Sequence, residues 1–246
     1  MNVILENQSW KSIPPMALVL VPTGSIEQHG PHLPLNTDTI IAETVAKGVA
    51  ERYQKNFPSN AVFVAPPVQY GASGEHQEFP GTISIGHQVL QEMLIEMVRS
   101  ISTWANHIVF INGHGGNQHS LVKAVTQMIY EGHKVSWVPC STPGGDAHAG
   151  ATETSLMLAI APERVQLSQI ESGNLANLQS LMAEITENGI RAVSPTGILG
   201  DPTLATSSLG KELIETMVSD VFERIIAGVL NASGCLQRST DELDSQ

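Results

Sequence analysis

Four short apolar runs stand out along the chain: residues 17–22 (ALVLVP), 61–66 (AVFVAP), 107–112 (HIVFIN) and 135–139 (VSWVP). They are rich in β-branched and aromatic residues and lack strict alternation, which suits strands covered on both faces. Between and after them the apolar positions change to a helical period. Residues 39–53, 89–104, 121–130 and 208–230 read as helices. In the second, Leu90, Met93, Leu94, Met97, Val98 and Ile101 form one stripe. In the last, Leu213, Ile214, Met217, Val218, Val221 and Ile225 do the same. Strands alternating with helices predict right-handed βαβ crossovers and an α/β fold, with a mainly parallel sheet covered by helices on both sides. No repeat or linker interrupts the pattern, so residues 1–231 read as one domain. Residues 232–246 are polar and are expected to form a flexible tail.

Composition narrows the function classes. The chain has 246 residues, 41% of them hydrophobic, enough for a sizeable core and too many for global disorder. Twelve Lys and Arg stand against 24 Asp and Glu, a formal net charge of -12. An acidic chain without a basic cluster repels phosphate backbones and anionic bilayers, so neither nucleic acid nor membrane is an expected partner. Charged residues make up only 15%, which favours a homo-oligomer that buries part of its surface. The two cysteines are too few for a disulfide framework; Cys140 reads as buried and Cys235 as part of the tail. No signal-peptide pattern and no apolar run of membrane-spanning length is visible, so a cytoplasmic location is expected.

Each predicted strand runs into a Gly-rich loop bearing His, Asp or Glu. The first leads to TGSIEQHGPH and Asp38, the second to GASGEHQEFPGT, the third to NGHGGN, the fourth to GGDAHAGATETS. In a parallel sheet these loops meet at one edge, where ligands bind. Their side chains point to a metal: Glu27 and His29 two positions apart, then Asp38, His114 and the carboxylate of Glu153. Mixed imidazole and carboxylate donors without thiolates argue for an open, hydrolytic site and suit Zn, Fe(II) or Mn(II) alike. Each residue also has a plainer reading. An isolated His in a loop is more often a surface hydrogen-bonding group, and Glu153 suits the first turn of a helix. His32, His87, His107, His119 and His133 are given only that plainer reading. The glycines of NGHGGN match neither a dinucleotide fingerprint nor a P-loop, and no G-x-S-x-G is present for a serine hydrolase.

The segments PTGSIEQHGPHLPLNTDT, GASGEHQEFPGTISIG, FINGHGGNQ and DAHAGATETSLML, between residues 19 and 158, resemble the creatininase (creatinine amidohydrolase) family in order and spacing. The resemblance implies a three-layer α/β/α sandwich. It also implies an oligomer, often a hexamer, and two divalent metal ions serving amide hydrolysis. It maps the family's ligands onto Glu27, His29, Asp38 and His114, with Asp38 as the bridge, and a proton-transferring His onto His148. Creatininase carries a further ligand Glu where this chain has Gly116, and that role is transferred to Glu153. It also has a Glu before the catalytic His, where Ala147 stands here, and a Trp that this loop lacks. Creatinine is therefore a poor expectation as substrate.

Within the family, GASGEHQEFPGTISIG, VSWVPCSTPGGDAHAGATETSLML and AVSPTGILGDPTLAT resemble the creatininase-like peptidases of the mycofactocin biosynthetic system. That likeness implies cleavage of a modified precursor peptide to release its C-terminal Val-Tyr-derived unit. On this reading His148 protonates the leaving nitrogen, the backbone of Gly144 and Gly145 meets the oxyanion, and Glu75 and His76 line the substrate pocket or support the ligands. Two alternatives stand beside it. One is a small-molecule amidohydrolase of the creatininase or formamidopyrimidine nucleotide deformylase type; the other is an inactive metal-holding scaffold.

Overall fold

The computed structural model describes residues 3–238. Four strands, β1 (Ala17–Thr23), β2 (Val62–Val64), β3 (Ala105–Asn112) and β4 (Val135–Pro139), form one all-parallel sheet in the order β2-β1-β3-β4. The register places Leu18 beside Val62, Val19 beside Ile108 and Phe110 beside Trp137. Among the described residues the helices are α1 (Thr37–Asn56), α2 (Gly86–Ile101), α3 (Gln118–Tyr130), α4 (Ala151–Ile160), α5 (Leu178–Asn188), α6 (Ile190–Val193) and α7 (Ser207–Ala227).

Alternate strand residues feed two separate cores, because successive side chains leave a strand on opposite faces. Leu18, Leu20, Val109 and Ile111 pack with Ile41, Val45 and Val49 of α1, Leu156 of α4 and Met217 and Val221 of α7. Val19, Val21, Ile108 and Phe110 pack on the other face with Leu90 and Leu94 of α2 and Leu121 and Val125 of α3. Helices thus cover both faces of the sheet, as expected for a three-layer sandwich. The continuous apolar runs have this cause: a strand buried on both faces has no polar side to show.

The predicted strands and the long helices lie where the pattern put them, with shifted ends. β2 is shorter than its apolar run, and α1 starts early enough to take Asp38 into its first turn. The α5–α6 segment was not anticipated. The stretch from residue 232 also departs from the expected flexible tail: Leu230 bridges Leu236, and Cys235 bridges Trp137 of β4. Cys235 is 6% exposed and Leu236 is fully buried, so the chain is packed at least that far, and residues 239–246 lie outside the described part. Both cysteines are free thiols. No described helix is long and apolar enough to cross a membrane.

Leu20 is fully buried in the α1–α7 core. Leu20→Ala removes its methyls and leaves a cavity, and should cost about 2–5 kcal/mol in a urea titration.

Candidate metal centre

β1 pairs with β2 on one side and β3 on the other, so the loops leaving β1 and β3 diverge and open a crevice at their carboxyl ends. The loop after β1 carries Glu27 and His29 and delivers Asp38 to the first turn of α1, where the helix dipole favours its charge. His114 follows β3. His148 follows β4, and Glu153 sits in the first turn of α4. Glu75 and His76 lie in the short turn Gly74–His76.

These side chains meet. Glu27 and His29 are fully buried, and Asp38, His76, His114 and His148 are nearly so. His29 Nε2 lies 3.0 Å from Asp38 Oδ1 and 4.0 Å from Glu153 Oε2. His114 faces both central carboxylates, Nδ1 at 3.3 Å from Asp38 Oδ2 and Nε2 at 3.2 Å from Glu27 Oε2. On Glu27 Oε1 converge His76 Nε2 at 3.3 Å and His148 Nδ1 at 3.9 Å. Ser25 Oγ donates to Asp38 Oδ2 at 2.7 Å.

Backbone carbonyls decide the tautomers. His29 Nδ1 meets Glu27 O at 3.1 Å, His114 Nε2 meets Ala72 O at 3.1 Å, and His148 Nε2 meets Gln28 O at 2.8 Å. Only an N–H can face a carbonyl oxygen so closely, so the other nitrogen of each neutral ring carries a lone pair. Those lone pairs, on His29 Nε2, His114 Nδ1 and His148 Nδ1, point among carboxylate oxygens. Such an arrangement is repulsive unless a proton or a cation lies between. Both oxygens of Glu27 are buried without a hydrogen-bond partner. Imidazoles anchored to backbone carbonyls around orphaned buried carboxylates fit a divalent cation. Glu27, His29 and Asp38, and likewise His29, His148 and Glu153, each bring ligand atoms within 4.8 Å of one another.

Protonation relieves the repulsion at His29 and His114 but not at His148. Burial works against charge on His29, but Asp38 beside it prevails and lifts its pKa to about 10. Burial likewise opposes the charge on Glu27, yet His114 and His76 hold its pKa down to about 2. His114 is pushed well above and Asp38 well below their ordinary values, each against the cost of burial, by their mutual contact and the other charges around them. Burial dominates at His76, whose pKa falls to about 4, and at His148, which it keeps neutral. Glu153 is raised to about 7, chiefly by burial.

Glu153 stands in the first turn of α4, accepts from Ala149 N at 2.6 Å and lies beside His29. Gly116 makes room for Glu75, because a Cβ there would stand 2.6 Å from Glu75 Oε1. Glu75 Oε1 reaches 3.7 Å from His114 Nε2, and burial raises its pKa. The glycine pair fits its expected place less well. Gly145 lines the crevice, but its amide is committed to Thr142 O at 3.3 Å, and Gly144 lies outside the lining. His32 and His107 bond Thr154 Oγ1 at 2.8 Å and Ser136 Oγ at 3.0 Å, but His32 is fully buried rather than the surface group expected. His87 was given the same reading but lines the crevice.

Two polar residues at the centre escaped the sequence reading. Asp146 caps α4, accepting from Ala151 N and, at 2.9 Å, from Thr152 N, and so fixes the turn that carries His148 and Glu153. Gln28 lies between the two ligand-type residues of the Glu27-x-His29 pair, which was its only signal.

The crevice opens into a cavity of about 1060 Å³. Leu178, Met182 and Ile185 of α5 form an apolar wall, and among the described residues the lining contains no Lys, Arg, Phe, Tyr or Trp.

The family model for creatininase (creatinine amidohydrolase) matches residues 6–225. The chain is 53% identical over 208 residues to the mycofactocin precursor peptide peptidase of Mycolicibacterium smegmatis, covering 85% of this chain and 84% of that protein. It is 31% identical over 183 residues to the creatinine amidohydrolase of Pseudomonas putida, covering 62% and 68%. A solved structure named "Creatininase Mn" superposes with a TM-score of 0.75 at 24% identity, covering 93% of this chain and 99% of that one. With most of its length matched by the family model and its sheet-edge loops gathered into one buried cluster, the chain belongs to the creatininase family.

Proposed function

We propose that this protein is a metal-dependent peptidase that cleaves the modified mycofactocin precursor and releases its C-terminal Val-Tyr-derived unit. One observation carries the reading: an orphaned buried carboxylate ringed by carbonyl-anchored imidazoles opens into a cavity of about 1060 Å³ with no Lys or Arg among its described lining residues. That volume is at the top of the range for small-molecule pockets, several times what a single small ring needs. A nucleotide substrate calls for Lys or Arg near its phosphate, and the described lining residues offer neither. The name of the Mycolicibacterium smegmatis relative supports the same choice.

Glu27, His29, Asp38, His114 and Glu153 are the residues that would hold two divalent cations, of zinc, iron or manganese. Bound there, such cations acidify water and polarise an amide carbonyl. The protein does the rest. Gln28 O holds the proton of His148 on Nε2, which leaves Nδ1 free to take a proton from the attacking water and give it to the leaving nitrogen. The α5 wall receives an apolar side chain beside the scissile bond. Exposed Trp10 and Tyr130, 80% and 92% accessible, support assembly into a homo-oligomer.

The metal-loaded protein should cleave the modified peptide and leave creatinine and a formamidopyrimidine nucleotide intact, read by mass spectrometry; turnover of either small molecule with an untouched peptide would overturn the assignment. In the same assay His114→Ala should lose bound metal, whereas His148→Ala should keep it and lose about 100-fold or more in kcat.

Met182→Glu places a charge on the apolar wall. KM for the peptide should rise about tenfold or more, a loss of about 1.4 kcal/mol, with metal content unchanged.

The stability contributed by the His29–Asp38 pair in metal-free protein is present below pH 6.5 and is lost as pH climbs through about 10, since folding raises the His29 pKa. A metal-stripped sample should therefore show a falling Tm over that interval by calorimetry, and a metal-loaded sample a flat one.

A further inference from the structure

We propose that Gln28 is a positioning residue that holds His76 as an N–H-bearing neighbour of Glu27 and bars it from acting as a metal ligand. By proximity alone His76 looks like a ligand, since Glu27, His76 and His148 bring donor atoms within 4.8 Å of one another. Hydrogen bonding excludes it. The Gln28 amide is oriented from two sides: its Oε1 accepts from Gly30 N at 2.8 Å, and its Nε2 donates to Gly197 O at 3.1 Å. Turning the amide over would set N–H against N–H at Gly30 and oxygen against oxygen at Gly197. With the amide fixed, Nε2 directs its second hydrogen at His76 Nδ1, 2.9 Å away.

A third nitrogen, His148 Nε2, lies 3.1 Å from the same amide nitrogen. It sits closer to Gln28 O, at 2.8 Å, and donates there, so it does not compete for an amide hydrogen. His76 Nδ1 is therefore an acceptor. In the neutral ring the proton must sit on Nε2, the nitrogen 3.3 Å from Glu27 Oε1. A nitrogen that carries a proton has no lone pair for a cation. The contact with Glu27 is angled rather than a linear hydrogen bond, so Glu27 remains unsatisfied while the N–H dipole supports its charge.

The segment around Gly197 is built for this lock. Gly197 has φ of +81°, and a Cβ there would stand 2.0 Å from Gln28 Oε1. Two residues on, Leu199 pairs with His148 through the backbone. One loop thus sets Gln28, and through it His76, in the same frame as His148. This gives a task to the AVSPTGILGDPTLAT segment, which the hydrolytic reading left without one.

The inference draws on the hydrolase reading only for its kinetic arm. Imidazole ¹⁵N spectra of the zinc-loaded protein should give an unprotonated Nδ1 and a protonated Nε2 for His76. Gln28→Glu, of the same shape, accepts at that place instead of donating, and should move the proton to Nδ1 and lower kcat at least tenfold with metal content retained. Should that variant fail to fold, His76→Gln decides: its side-chain amide also presents N–H, so bound metal per chain should match wild type. A protonated Nδ1 in wild type, loss of a metal equivalent in His76→Gln, or an unchanged kcat in Gln28→Glu would overturn the proposal. Correct spectra and metal counts without peptide cleavage would leave it standing and remove the hydrolase reading instead.

Discussion

Two carboxylates, Glu27 and Asp38, are withdrawn from water within reach of each other, and the rest of the centre answers to that cost. An isolated buried carboxylate loses several kcal/mol of hydration, and a second one nearby adds repulsion. The chain surrounds them with four imidazoles, one serine hydroxyl and the N-terminal turn of α1. None of these satisfies Glu27, which keeps two oxygens without a hydrogen bond. A protein selected only for stability would replace such a pair by apolar groups. The deficit is intelligible where the missing positive charge arrives as a cation.

The parallel sheet makes the gathering possible. Glu27, His29 and Asp38 are close in sequence, but His114 and His148 come from the ends of other strands, and His76 from the loop that follows β2. Parallel register puts all those ends at one edge, and the divergence of the loops after β1 and β3 leaves the crevice there. Backbone carbonyls at this edge then act as instructions. Three of them, Glu27 O, Ala72 O and Gln28 O, each fix which nitrogen of one imidazole carries the proton.

Much of this was legible in the sequence, for identifiable reasons. A strand buried on both faces must be apolar throughout, so β1, β3 and β4 announce themselves; β2 also shows, though the run outlasts the pairing. Glu27, His29 and His114 lie in loops directly after strands and Asp38 in the first turn of the helix that follows β1, where topology alone makes them neighbours. The α5–α6 segment was not readable, because its apolar residues face a cavity and a small local cluster rather than the main sheet core. The packing of Cys235 and Leu236 was hidden because it depends on pairing with Trp137, about a hundred positions away. Glu75 was legible as a residue of the site but not in its position, since its place beside His114 depends on the absence of a side chain at Gly116.

Gln28 illustrates the deeper limit. Residue type and spacing report which side chains can donate electron pairs, and by that measure His76 and His29 are equals. What separates them is the partner on the far nitrogen: a carbonyl behind His29, an amide N–H behind His76. That partner is chosen by the orientation of one glutamine amide, which is chosen in turn by Gly30 N and Gly197 O. A site of this kind is specified by the direction of its hydrogen bonds as much as by its ligands, and the direction is a property of the folded loops.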